Sequence, residues 1–316
     1  MLAFVLGSGR CGSTLVTELV ARHPEVGFIS NVDDKLGRFD LKGRWNNALF
    51  ARSGERDPSL RPFRDRRRPL ERGRVRVAPS EGWVVMERQI SSIFPQPCRD
   101  LTAQDATPWL KGRIADFFDS RMAAQGKSAF VHHLTGWPRS GLLRAVYPEA
   151  RFVHVVRDGR SVANSWLQMG WWDGYRGPDS WYLGPLSHAD RAEWEDSDRS
   201  FVVLAGLGWR ILMDAMEEAR QLIPADQWLD VRLEDVMDDP RGKTSEVLDF
   251  LGLGWTPEFE AGFARHTFQA SRGLAWKRDL GAEHIALLER TIAKPLARYG
   301  YELTDASLEA HQGEMT

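Results

Sequence analysis

Short apolar runs alternate with helical repeats over most of the chain. LAFVL (2–6) is an uninterrupted apolar run and predicts a buried strand. The next apolar positions recur at helical spacing up to Pro24, and VGFIS (26–30) predicts a second short strand. The order strand, loop, helix, strand is typical of an α/β fold with a mostly parallel sheet.

The alternation continues towards the C-terminus. Segments with the composition of strands are SAFVHHL (128–134), RFVHVVRD (151–158) and QWLDVRLED (227–235). Helical spacing predicts helices over residues 109–124, 140–148, 159–169, 201–223 and 240–253. We therefore predict a single α/β domain over residues 1–316, with a central, mostly parallel sheet flanked by helices.

Two stretches interrupt this pattern. The first is an insertion at about 35–105, which contains the run RPFRDRRRPLERGRVRV (61–77). It is interpreted either as a solvated surface loop or as a basic lid over an anionic ligand. The second is a tryptophan-rich loop at about 166–200, interpreted either as buried core or as an aromatic wall around an acceptor.

Composition narrows the class of protein. The formal net charge is −2, which gives no global electrostatic reason to expect nucleic acid. The two cysteines, Cys11 and Cys98, are too few for a disulfide framework, and a reducing compartment fits them. The first apolar run has no basic leader and no run reaches membrane-spanning length. We expect a soluble, cytoplasmic, bacterial protein without integral membrane contact; its oligomeric state stays open.

The segment GSGRCGSTL, from Gly7, has the glycine spacing of a phosphate-binding loop after a strand. Its amides and the following helix N-terminus can bind one anion, with hydroxyls from Ser13 and Thr14 and a positive charge from Arg10. Ser13 stands where a nucleoside triphosphatase carries its lysine. The loop therefore favours a phosphate that is not part of a metal-bound triphosphate chain.

A second anion site is predicted after RFVHVVRD. Arg157 ends that strand, and Ser165 follows eight residues later on the predicted helix. Ligands of open α/β sheets bind at the carboxyl edge of the strands, where an arginine and a serine can hold one phosphate from two sides. The alternative is an ordinary ion pair between Arg157 and Asp158. Two phosphate sites together describe a nucleotide phosphorylated at both its 5′ and 3′ positions.

These motifs resemble the sulfotransferases that use 3′-phosphoadenosine 5′-phosphosulfate (PAPS). The loop Gly9-Arg10-Cys11-Gly12-Ser13-Thr14 is similar to the one that holds the 5′-phosphosulfate, with Arg10 where the cytosolic enzymes carry lysine. Arg157 and Ser165 match the family's 3′-phosphate pair. The resemblance implies a P-loop-NTPase-like fold with irregular lid and acceptor insertions.

Two later segments extend the resemblance. VRLEDVMDDP (231–240) is similar to a family segment in which a tyrosine contacts adenine, and Leu233 replaces that tyrosine here. SRGLAWKRDL (271–280) resembles the loop that closes on the nucleotide, with Arg272, Gly273 and Trp276 at the recognisable positions.

The resemblance implies PAPS as donor, PAP (adenosine 3′,5′-bisphosphate) as product and no metal. Sulfuryl transfer needs in-line placement, stabilisation of charge and a base for the incoming hydroxyl. Arg10 is expected to stabilise charge on the leaving oxygen, together with the loop amides and Ser13. The acceptor is expected to be a small molecule with a hydroxyl and an apolar or ring-containing body.

Two sets of residues compete for the role of base. The family's cytosolic members have a catalytic histidine in a Lys-Thr-His-Leu segment, which His133-Leu134 resembles, with His132 and Val131 replacing the threonine and lysine. Asp33 or Asp34, after the second strand, stand where other branches of the family place a carboxylate. The alternative functions are a nucleotide kinase or hydrolase, and a nucleotide-binding protein without catalysis.

Overall fold

A five-stranded parallel sheet forms the centre of the computed structural model, which describes residues 1–35, 41–52, 77–268 and 272–304. The strand order is β2-β3-β1-β4-β5, and every pair of neighbouring strands is parallel. The strands are β1 (Leu2–Gly7), β2 (Val26–Gly27), β3 (Ala129–Thr135), β4 (Arg151–Val156) and β5 (Trp228–Arg232).

Helices cover both faces of the sheet. They are α1 (Ser13–Ala21), α2 (Asn31–Lys35), α3 (Asn46–Arg52), α4 (Trp83–Gln89), α5 (Pro108–Gln125), α6 (Ser140–Val146), α7 (Gly159–Trp166), α8 (His188–Asp196), α9 (Phe201–Leu222), α10 (Leu233–Asp238), α11 (Pro240–Phe250), α12 (Pro257–Phe263), α13 (Ala275–Asp279) and α14 (Ala282–Arg298). Single 3₁₀ turns lie at Ala103–Asp105, Asp173–Arg176, Ala225–Gln227 and Arg272–Leu274.

The alternation of side chains along each strand divides the core into two layers. On β1, Phe4 and Leu6 belong to the larger cluster, which packs against α5, α7, α9 and α14. Ala3 and Val5 face the other way, towards α1, α11 and α12. Because both faces of the sheet are covered, its strands read as continuous apolar runs, as a parallel sheet requires.

The predicted fold class is confirmed, and most predicted elements lie within a few residues of the observed ones. Three observed elements differ from the predicted ones. The second strand is only Val26–Gly27, and Ser30 pairs instead with Pro79 in an isolated antiparallel bridge. The segment after β5 was expected to be a turn but forms helix α10. Helix α14 was not predicted from the sequence. The arginine-rich run at 61–76 lies outside the described residues.

The strand order places a crevice at one edge of the sheet. From β1 the chain crosses through α1 to β2 on one side, while β4 and β5 extend the sheet on the other side. Ligands of open α/β sheets bind outside the carboxyl ends of the strands at such a switch point. The segments that follow β1, β3, β4 and β5 all reach this edge.

The turn from β1 into α1 requires glycine. Gly12, which precedes the first residue of α1, has φ of +95°, a left-handed conformation that side chains disfavour. A Cβ atom at this position would lie 2.5 Å from Cδ1 of Leu233. Gly12 therefore satisfies both a backbone and a packing constraint.

We expect Gly12→Ala to lower the free energy of unfolding more than Gly126→Ala. Gly126, after α5, also has positive φ (+59°), but no atom lies within 4 Å of the position its Cβ would take. Backbone strain of about 1–2 kcal/mol applies to both variants, whereas overpacking against Leu233, roughly 1–3 kcal/mol, applies only to Gly12→Ala. Urea denaturation measures both losses, and Leu233→Ala in the Gly12→Ala background should recover the second. Equal losses in the two alanine variants would contradict this account.

Candidate functional site

A cavity of about 670 Å³ opens at the carboxyl edge of the sheet. Its wall combines the phosphate loop with residues that follow β3, β4 and β5 and with the insertions. The lining residues are Ser8, Gly9, Arg10, Gly12, Ser13, Thr14, Leu15, Glu81, Trp83, Pro95, Gln96, Thr135, Gly136, Arg139, Arg157, Trp171, Asp173, Tyr182 and Leu233.

The phosphate loop presents an open helix N-terminus to this cavity. Gly12 has no side chain to cap α1, and the first turn of α1 contains no acidic residue. The amides of that turn have no partner within the helix, so they and the hydroxyls of Ser13 and Thr14 suit an anion. The Cys11 side chain points into the core and burial raises its thiol pKa, so only its backbone can serve a ligand.

Arg10 joins the two predicted anion sites. Its Nε donates to Oγ of Ser165 on α7 at 2.9 Å, and Nη1 of Arg157 donates to the Arg10 carbonyl at 3.0 Å. Arg10 has φ of +60°, so its backbone is left-handed, as is that of Gly9. The structure thus brings together the three polar residues that the sequence assigned to separate phosphates.

The late loop is docked on α7. Ser161 Oγ donates to the Gly273 carbonyl at 2.5 Å, Asn164 Nδ2 donates to Asp279 Oδ2 at 3.0 Å, and the Arg160 guanidinium lies 4.4 Å from the ring centre of Trp276. The side chain of Arg272 lies outside the described structure. Because α7 also carries Ser165, this loop and the second anion site share one rigid support.

The predicted base His133 lies below the cavity floor and does not line the cavity. It points to the same side of β3 as Val131, towards α1, and is 2% exposed. Burial lowers its pKa, and its Nδ1 has no hydrogen-bond partner among the described residues. His132 faces the opposite core layer against Phe118, and its pKa is lowered well below the usual range by burial.

Asp33 and Asp34 also lie away from the cavity lining and instead hold backbone turns. Oδ2 of Asp33 accepts hydrogen bonds from the backbone N–H and hydroxyl of Ser30, at 2.8 and 2.9 Å, and from Asn46. Oδ1 of Asp34 accepts from the backbone N–H groups of Val84 and Val85, at 2.9 and 3.0 Å. Asp34 therefore caps the first turn of α4.

Two carboxylates line the cavity, Glu81 and Asp173, and the sequence analysis selected neither; Glu81 is the one held beside the end of β3. Its Oε1 accepts a hydrogen bond from Thr135 Oγ1 at 2.5 Å, and its Oε2 accepts one from the indole N–H of Trp83. Glu81 follows the arginine-rich run with no local pattern around it. Only the pairing of Ser30 with Pro79 brings it beside the end of β3.

The tryptophan-rich loop serves both interpretations. Trp166, Trp172 and Trp181 are buried core residues. Trp171 and Tyr182 line the cavity: a Cβ on Gly9 would lie 4.0 Å from the Trp171 ring, and one on Gly136 would lie 3.7 Å from the Tyr182 ring. The cavity therefore has aromatic walls beside the phosphate loop.

A buried arginine holds the outer wall in place. Arg139 donates through its side chain to four carbonyls, those of Phe94, Pro95, Thr135 and Trp137. Burial lowers its pKa to about 10, although attraction to Asp100 and Glu81 opposes that shift. The Arg139 backbone N–H donates to Asp100 Oδ1 at 2.6 Å.

Within residues 1–35, 41–52, 77–268 and 272–304, no three or more His, Cys, Asp or Glu side chains come close enough to hold a metal ion. Metal-free catalysis stays a prediction. No helix in the same ranges has the length and apolarity needed to cross a bilayer.

Comparison with known proteins identifies relatives. The model of a family described as "Sulfotransferase family" matches residues 3–257. The omega-hydroxy-beta-dihydromenaquinone-9 sulfotransferase Stf3 of Mycobacterium tuberculosis is 23% identical over 186 residues, which are 56% of this chain and 42% of that protein. The chain thus matches less than half the length of this curated relative.

Solved structures share the fold. Sulfotransferase STF9 from Mycobacterium avium superposes with a TM-score of 0.55 at 18% identity, over 95% of this chain and 77% of that one. The sulfotransferase domain of the Synechococcus PCC 7002 olefin synthase gives a TM-score of 0.52 at 18% identity, over 96% and 95% of the two chains.

We expect Asp100→Asn to remove a pH dependence of stability. Burial raises the pKa of Asp100 to about 6, so its carboxyl binds a proton more tightly in the folded than in the unfolded chain. Its contribution to the free energy of unfolding is present below the unfolded pKa of about 4 and is lost as the pH rises through about 6. The loss is on the order of 3 kcal/mol, and urea denaturation across this range measures it.

Asp105→Asn provides a control of opposite sign. The hydrogen bond from Arg99 lowers the Asp105 pKa to about 2. Its contribution is therefore present above the unfolded pKa and declines as the pH falls towards 2. A decline of stability between about pH 4 and 6 that persists in Asp100→Asn would assign it to another group.

Proposed function

The chain belongs to the sulfotransferase family, and we propose that it transfers a sulfuryl group from PAPS to a hydroxyl of a small-molecule acceptor, releasing PAP. The observation that carries the proposal is that Arg10 and Arg157 line the same cavity as the N-terminus of α1, and that Arg10 also contacts Ser165. The open N-terminus of α1 suits the 5′-phosphosulfate, and Arg157 with Ser165 suits the 3′-phosphate.

The contacts of Arg10 support a role in the transfer. It is the cationic side chain of the phosphate loop, at the position where the resemblance places a lysine. Its hydrogen bond to Ser165 ties this charge to the 3′-phosphate site. We infer that Arg10 stabilises the negative charge that develops on the oxygen leaving the sulfuryl group, as preorganised donors do in acyl and phosphoryl transfer.

The remaining cofactor contacts follow from position. Leu233 lines the cavity and offers the adenine an apolar surface where the family pattern has tyrosine. The backbone of Gly9 to Thr14 and the docked loop at Gly273 complete the nucleotide site. Arg272 remains a proposed member of this site on the strength of the motif alone.

The acceptor side is formed by Trp83, Trp171 and Tyr182, with Pro95 and Gln96 beside them. Aromatic walls bind flat or apolar molecules, and a few polar groups orient them. We infer that the acceptor carries its hydroxyl on an apolar or ring-containing body and that the tryptophan-rich segment at about 166–200 helps to bind it. We also infer that residues 1–316 form a single domain and that the protein acts in the cytoplasm. The mycobacterial relative takes its name from omega-hydroxy-beta-dihydromenaquinone-9, a menaquinone derivative that has both features.

A kinase or hydrolase is less well supported. The lysine that holds the β- and γ-phosphates in triphosphatases is replaced by Ser13, which is 3% exposed and begins α1. The other alternative is a nucleotide-binding protein without catalysis. Measured turnover of PAPS with an acceptor distinguishes it from an enzyme.

We expect PAP to stabilise the fold far more than MgATP. Ligand at about 100 times its dissociation constant adds roughly 2.7 kcal/mol, and PAP fills both anion sites, whereas ATP lacks a 3′-phosphate. Thermal denaturation with each nucleotide measures the difference. A rise in melting temperature with MgATP and none with PAP would refute the proposed function.

We expect Arg157→Ala to weaken PAP binding by about 1.5–3 kcal/mol, the usual contribution of a charged hydrogen bond. Binding of AMP, which lacks the 3′-phosphate, should change little. Isothermal titration of both nucleotides tests this, with Arg176→Ala as control because Arg176 is an exposed arginine that does not line the cavity. Equal losses for PAP and AMP would make Arg157 a structural residue.

A further inference from the structure

Glu81 lies on a short, firmly held connection. Pro79 pairs with Ser30, Ser80 N–H donates to the Ile29 carbonyl at 2.9 Å, and Asp34 caps α4 from below. Gly82, the next residue, has φ of +68° and is the N-cap residue that precedes α4. The backbone on both sides of Glu81 is therefore fixed by hydrogen bonds to the region that follows β2.

Two donors orient the carboxylate. The indole N–H of Trp83 can only donate, so Oε2 accepts a hydrogen bond from it, and Oε1 accepts one from the hydroxyl of Thr135 at 2.5 Å. A carboxylate has about four lone-pair sites, so two remain for a further donor. No ion pair to Glu81 forms within the described ranges, and the side chain lines the cavity.

Thr135 lies between the Glu81 carboxylate and Gly9 of the phosphate loop. A Cβ on Gly9 would lie 3.9 Å from Cβ of Thr135, the same residue whose hydroxyl contacts Glu81. The Trp171 ring lies 4.0 Å from the same position. An acceptor hydroxyl between these groups faces the carboxylate on one side and the anion-binding loop on the other.

The other candidate bases lack this geometry. His133 is on the same face of β3 as Thr135 but two residues deeper, where it is 2% exposed. Asp33 and Asp34 have their oxygens directed at backbone N–H groups. Among the four residues, only Glu81 lines the cavity.

We propose that Glu81 is the general base of the transfer and that Thr135 and Trp83 are its positioning residues. The proposal rests on the proposed function. The acceptor O–H gives its proton to the Glu81 carboxylate while its oxygen forms a bond to sulfur. The bond from sulfur to the bridging oxygen of the 5′-phosphate breaks, and PAP leaves with that electron pair. The proton on Glu81 then passes to solvent through the open cavity.

Glu81→Gln tests the assignment because it preserves the shape and an acceptor oxygen but cannot take a proton. With PAPS and a phenol acceptor, we expect turnover to fall by about 10²–10⁴-fold. The dissociation constant for PAP should stay within about twofold, since Glu81 lies on the acceptor side. Glu87→Gln is the matched control, because Glu87 is exposed on the adjoining helix α4 and does not line the cavity.

Acceptors of different acidity distinguish a general-base role of Glu81 from a purely structural role. A base matters most when the acceptor holds its proton tightly, so Glu81→Gln should lose far more turnover with benzyl alcohol than with 4-nitrophenol at alkaline pH. Added formate should partly restore turnover in Glu81→Ala by entering the vacated space. Loss that is equal for both acceptors, with no rescue by formate, would overturn the assignment.

The outcomes also separate the two levels of inference. If wild-type protein binds PAP in preference to MgATP and transfers sulfuryl groups, but Glu81→Gln retains turnover within about threefold, Glu81 is not the base and the sulfotransferase activity stands. If wild-type protein shows no preference for PAP, the proposed function is refuted, and the assignment of Glu81 with it.

Discussion

The left-handed turn between β1 and α1 is the constraint on which the site depends. It lets the chain leave the central strand and begin a helix after five residues, so that the first turn of α1 and the Arg10 side chain both reach the cavity. Gly12 is required twice there, by its φ of +95° and by the contact with Leu233. Because Leu233 follows β5, the same glycine ties the phosphate loop to the opposite side of the sheet.

The arginines around this turn differ in how deeply they are buried. Arg10 and Arg157 lie at the cavity surface, where they can meet an anionic ligand, whereas Arg139 is buried and donates to four carbonyls. A buried guanidinium without such acceptors would be strongly destabilising. The carbonyls of two loops are thereby fixed to one another, and these loops position Thr135 near Glu81.

Much of the fold could be predicted from the sequence, because periodicity is a local property. The parallel sheet, α1, α5, α7 and α9 follow from apolar spacing that each segment carries by itself. The sequence could not show which tryptophans of the 166–200 loop are buried in the core and which line the cavity. Trp166 and Trp171 are five residues apart and of the same type, yet one is fully buried and the other is 40% exposed at the cavity.

The candidate site shows the same division. The sequence by itself predicted an anion-binding loop and an Arg157–Ser165 pair, since each prediction needs only a strand end, a helix start and a few residues between them. Only the tertiary structure decided which carboxylate reaches the cavity. Asp33 accepts hydrogen bonds from Ser30, three residues earlier in the chain, whereas Glu81 is 48 residues further on and is held near Thr135 by the pairing of Pro79 with Ser30. Such pairing between distant segments is set by the packing of the whole domain and not by either segment alone.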